Sequence, residues 1–61
     1  MTPDDVLKAL YEETMVGNAP AVLEHTNTGL ELGMTPSSLL FDALIPALEE
    51  VAARFERGDF F

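Results

Sequence analysis

The sequence predicts an all-α fold, an antiparallel bundle of three helices with the third kinked at Pro46. Three observations carry that reading. Apolar residues recur at three- and four-residue spacing in three successive stretches, and none of the stretches shows the alternation of a strand. Each stretch opens on a capping residue with a proline close behind: Thr2-Pro3, Asn18 with Pro20, Thr35-Pro36. Each closes on a glycine, at Gly17, Gly33 or Gly58, which is the punctuation of helix ends.

In the first stretch Thr2 caps, Pro3 takes the first helical position, and Asp4-Asp5 supply negative charge to the first turn. Asp5 lies three residues after the cap, where a carboxylate can complete a capping box. Val6, Leu7, Leu10, Tyr11, Thr14 and Met15 then mark the inner face. The second helix runs from its Asn18 cap with Val22, Leu23, Thr26 and Leu30 inward. Gly29 falls inside it, where glycine costs about 1 kcal/mol against Ala. Close approach of a neighbouring helix is the expected reason.

The third helix starts from Thr35-Pro36-Ser37-Ser38 and shows Leu40, Ala43, Leu44, Ala47, Leu48, Val51, Ala52 and Phe55 at helical spacing. Pro46 interrupts it by lacking an N–H and crowding the carbonyl of Asp42. The Thr-Pro openings are 33 residues apart, a spacing that invites a helical-repeat reading. The likeness ends at the caps, so two helices that begin alike explain it better.

Composition narrows the function. One domain fits 61 residues, and the absence of Cys excludes disulfides, thiolate zinc sites and thiol nucleophiles. Eleven acids against three bases give a net charge of −8, which repels nucleic-acid phosphates. The longest apolar run, Ala43 to Leu48, is far below the ~20 residues of a membrane span, and no signal peptide is visible. The expected setting is the cytoplasm, with neither nucleic acid nor membrane as partner.

Few residues offer chemistry. His25 is the one histidine and sits beside Glu24, but neighbouring helical positions point about 100° apart and do not converge. No spacing of His, Asp or Glu resembles a metal set. Glu12-Glu13 and Glu49-Glu50 read as solvated faces, with Glu50 placed to pair with Arg54 at i,i+4. Ser37 and Ser38 have no base in local reach. No catalytic residue and no metal ligand is expected. The end of the chain is more informative: Phe55, Phe60 and Phe61 place three aromatics within seven residues. They either close the core or face a flat ligand or another domain.

Taken together, Gly33-x-x-Pro36, Leu40-x-x-Ala43-Leu44-Ile45-Pro46-x-Leu48-x-x-Val51 and Phe55-Glu56-x-Gly58-Asp59-x-Phe61 resemble the helical cap of cobalamin-binding modules. Such caps occur in B12-dependent methionine synthase and in the corrinoid proteins of methylamine and methanol methyltransferase systems. The likeness covers essentially residues 1–61 and is most specific from Ala43 to Phe61. It implies a four-helix bundle preceding a Rossmann-like domain that holds the corrin, with the chain ending before the fourth helix. Ala52 stands where the family usually has Gly. The Asp-x-His-x-x-Gly signature that ligates cobalt from below is absent, and His25 does not match it.

The resemblance implies a cap that shields and gates the upper face of methylcobalamin, with Phe55 packed on the corrin and Phe61 as a second contact. A Rossmann-like cobalamin domain and a methyltransferase subunit would be its partners. The chain alone, lacking the lower ligand, is expected to bind no cobalamin tightly. The alternative is a small acidic helical interaction module. In that reading three amphipathic helices leave a groove lined by Val6, Leu10, Leu44, Leu48, Val51 and Phe55, and the isolated chain forms a homodimer.

Overall fold

The computed structural model describes residues 1–58. Helix α1 spans Pro3–Met15 and α2 spans Ala19–Glu31. The third segment consists of α3 (Pro36–Leu39), a π-helical turn (Leu40–Leu44) and α4 (Ile45–Glu56). No strand occurs among the described residues. The all-α bundle expected from the sequence is the fold observed.

The helix starts follow the capping chemistry. The Thr2 N–H donates to Asp5 Oδ2 at 3.1 Å, and the Asp5 N–H donates to Thr2 Oγ1 at 3.2 Å. Asn18 Oδ1 accepts from the Ala21 N–H at 3.2 Å, and Thr35 Oγ1 from the Ser38 N–H at 3.1 Å. Each bond satisfies an N–H that an isolated helix end leaves open. Gly17 and Gly33 leave their helices with φ of 75° and 87°, a conformation in which a Cβ crowds the carbonyl oxygen.

The capping box makes a pH-dependent contribution. The Thr2 backbone N–H, and then its hydroxyl, hold the Asp5 carboxyl below the ordinary carboxylate range. Arg54 does the same to Glu50, first through its hydrogen bond. Because both folded values are depressed, the unfolded chain takes up these protons first. The stabilisation is therefore present above the unfolded values, near pH 4, and is lost as pH falls through the lower folded ones. Asp5→Asn is expected to be less stable than the parent above about pH 5. The difference should vanish in acid. A constant difference in denaturant midpoint across that range would exclude the carboxylate as its source.

α1 is the central element. Both α2 and α4 pack against it, and Val6 and Leu10 are completely buried there. Leu39, Ala43 and Ala47 complete the buried apolar set. Leu7, Val22, Met34 and Leu44 pack around the cluster of Val6, Leu10, Leu39 and Ala43.

Two features of this core depart from the spacing argument. Leu39, not Leu40, is buried: it is 2% exposed and Leu40 is 42% exposed. The cause is the π turn. The Ile45 N–H donates to the Leu40 carbonyl, five residues back, so the turn holds one residue more than an α-helical turn. Pro46 follows directly, and the widened turn is the form that its disturbance of the helix takes. Residues before the turn are rotated relative to α4, bringing Leu39 into line with Ala43 and Ala47.

The second departure is on α2, where Leu23 and Leu30 are 63% and 45% exposed. The buried edge runs through Gly29 instead. A Cβ on Gly29 would sit 2.9 Å from Leu39 Cδ2 and 3.1 Å from Val6 Cγ1. The expected close approach is present, made by side chains of α1 and α3. It turns α2 so that its leucines flank the contact.

Candidate functional site

Since α2 and α4 both lean on α1, a cleft of about 450 Å³ opens between them near the C-terminal end of α1. Val22 and Leu23 of α2 form one wall, and Leu40, Leu44 and Leu48 form the other. Thr14 and Gly17 of α1 and its following turn contribute to the floor. Glu13 is the one charged residue among the described residues that line it. The Thr14 hydroxyl is buried with no hydrogen-bond partner among the described residues.

The cleft differs from the groove expected from sequence. Leu44 and Leu48 line it, but Val6 and Leu10 lie beneath it in the core at 0% exposure. Val51 and Phe55 are not among its lining residues. The contribution of α2 and of Thr14 and Gly17 was not visible in the sequence. Gly17 read as a helix stop and Thr14 as part of the inner face, and only the path of α2 across α1 makes them a floor. On the opposite wall the sequence places Leu44 and Leu48 in the groove, and Leu40, at the same four-residue spacing, joins them.

Phe55 lies in the last turn of α4 with 56% of its surface exposed. Large aromatics are among the most rewarding side chains to bury, so this exposure removes Phe55 from the core. Phe61 lies outside the described residues. The basic residues near Phe55 are engaged with Glu50: Arg54 Nε reaches Glu50 Oε1 at 3.0 Å and Arg57 Nη2 at 3.7 Å.

The Ser38 hydroxyl donates to Asp42 Oδ2 at 3.0 Å across the π turn, and His25 sits half-buried on α2. Among the described residues no three His, Asp or Glu side chains come together as a metal site requires. No helix of the described residues is long and apolar enough to cross a membrane.

The described residues thus define a small helical module that offers apolar and aromatic surface. The chain belongs to the B12 binding domain family, whose sequence profile matches residues 6–61. Within that family it is the helical cap of cobalamin-binding proteins, as the stretch from Ala43 to Phe61 implied. No curated relative and no solved structure matches the chain.

Proposed function

We propose that this chain covers the upper, methyl-bearing face of methylcobalamin in a corrinoid methyltransferase system, with Phe55 as the aromatic that lies over the corrin. The exposed Phe55 ring at the end of α4 is the observation that carries the reading. A flat apolar side chain at a helix end can blanket a macrocycle with little loss of side-chain freedom. Phe61 is a second contact in this proposal.

The described residues fit a covering role and offer no set of side chains for gripping cobalt. The lower ligand and most of the binding surface belong to a Rossmann-like partner domain, and a methyltransferase subunit reaches the cofactor when the cap moves aside. Cobalamin supplies the cobalt–carbon bond that carries the methyl group. The chain's contribution is exclusion of water from that bond in a cytoplasmic protein. By itself the chain holds no cobalamin tightly.

Phe55→Ala in the intact corrinoid protein tests this proposal. Photolysis of bound methylcobalamin is expected to accelerate while the thermal midpoint moves by less than the roughly 2–4 °C that 1 kcal/mol produces in a protein of about 150–250 residues. A large drop in midpoint with unchanged photolysis would return Phe55 to a structural role.

A second reading is favoured by the open cleft. Among the described residues nine large apolar side chains, from Met1 to Phe55, are at least 42% exposed. A surface this apolar serves association, and we propose that the isolated chain acts as a self-associating helical module.

A further inference from the structure

We infer that Glu50 is a positioning residue for Phe55: its carboxylate braces the last two turns of α4 through Arg54 and Arg57, and so fixes the direction of the aromatic ring. This deepens the covering role proposed for Phe55 and rests on it. The cleft plays no part, because Glu50, Arg54 and Arg57 are not among the residues that line it.

The brace begins as a spacing. Glu50, Arg54 and Arg57 stand at i, i+4 and i+7, which one face of a helix brings together. Glu50 Oε1 accepts from Arg54 Nε at 3.0 Å, and Arg57 Nη2 lies 3.7 Å from the same oxygen. One carboxylate thus ties two cations that stand on either side of Phe55 in the chain. The acid precedes both bases, the order that suits the helix dipole. Arg54 holds the Glu50 carboxyl below its usual range, chiefly through this hydrogen bond, so the contact favours the charged form. Two of the three Lys and Arg residues meet here, in a chain with eleven acids. Glu49, one position away, makes no ion pair among the described residues.

Phe55 stands one residue before the end of α4, and Arg57 is the residue that caps it. The Arg57 N–H donates to the Ala53 carbonyl at 3.1 Å, and the Gly58 N–H to the Phe55 carbonyl at 3.0 Å. These bonds close the turn that carries the ring. At Gly58, with φ of 78°, the chain leaves the helix. Helix ends open at almost no cost in free energy, and opening this turn would release Phe55 from its helical direction. An exposed ion pair adds little to global stability. It can still bias a local equilibrium that lies so close to balance.

Glu50→Gln in the intact corrinoid protein tests the inference. The expected result is about twofold faster photolysis of bound methylcobalamin, with the thermal midpoint unchanged. Amide hydrogen exchange at Arg57 and Gly58, measured without cofactor, should quicken by about the same factor. Glu49→Gln, the same change of charge one position away, should alter neither. In a Phe55→Ala background, or Phe55→Leu if the alanine variant does not fold, Glu50→Gln should have no further effect on photolysis. An equal acceleration in that background would overturn the inference, because Glu50 would then act without Phe55. Unchanged exchange in the last turn would exclude the brace. If Phe55→Ala speeds photolysis and Glu50→Gln does not, the positioning role falls and the covering role stands. If neither speeds it, both fall.

Discussion

Leu39→Ala is expected to destabilise the chain by about 2–5 kcal/mol, the usual cost of truncating a buried leucine. Leu40→Ala, one position along, should cost no more than about 1 kcal/mol, because that side chain is already 42% exposed. At about 0.05–0.15 kcal/mol per residue the whole chain is stable by roughly 3–9 kcal/mol. The first substitution can therefore unfold the protein, and the second cannot. Urea titration followed by circular dichroism measures both. The contrast reports on the π turn: an uninterrupted α-helix ending in the same α4 would expose Leu39 and bury Leu40. Equal costs, or the reverse order, would show that the turn does not set the register.

Gly29→Val is expected to cost about 1–3 kcal/mol by overpacking. Its Cβ would lie 2.9 Å from Leu39 Cδ2 and 3.1 Å from Val6 Cγ1, before either methyl group is placed. Both neighbours belong to the buried cluster, so the strain has little space in which to relax. Gly29→Ala makes a sharper comparison. It gains about 1 kcal/mol in helix propensity, but its Cβ meets both the end of the Leu39 side chain and Val6 Cγ1, the second on a side chain that is stiff at χ1. Those effects oppose each other, and the variant should lie within about 1 kcal/mol of the parent. If valine is tolerated as well as alanine, the packing of α2 against Val6 and Leu39 is looser than the distances imply. Both variants can be compared at one denaturant slope.

The two substitution pairs also mark the division between what was readable and what was not. The sequence determined where the helices begin and end. Thr2, Asn18 and Thr35 act through hydrogen bonds to residues three positions away, and Gly17 and Gly33 through their own backbone angles, so these features need no tertiary partner. It also determined that Gly29 required a close neighbour, because a mid-helix glycine has a cost that something must offset. Family membership was legible from Ala43 to Phe61, where a run of specific residues at fixed distances leaves little freedom.

Which face of each helix is buried was decided by the tertiary structure. A leucine at helical spacing satisfies the pattern equally well on either side of the true inner face. Leu39 and Leu40 are chemically identical neighbours, and the choice between them depends on one extra residue in a turn ahead of Pro46. Leu23 and Leu30 were displaced from the inside by the smaller Gly29, because the closest approach of α2 occurs where there is no side chain. The cleft likewise exists only in three dimensions. Its floor and walls come from α1, α2 and the third helical segment, and no local pattern records that α2 and α4 both lean on α1 while standing apart. Hydrogen bonds within one turn are encoded locally. Burial depends on the mutual placement of helices, which periodicity alone does not specify.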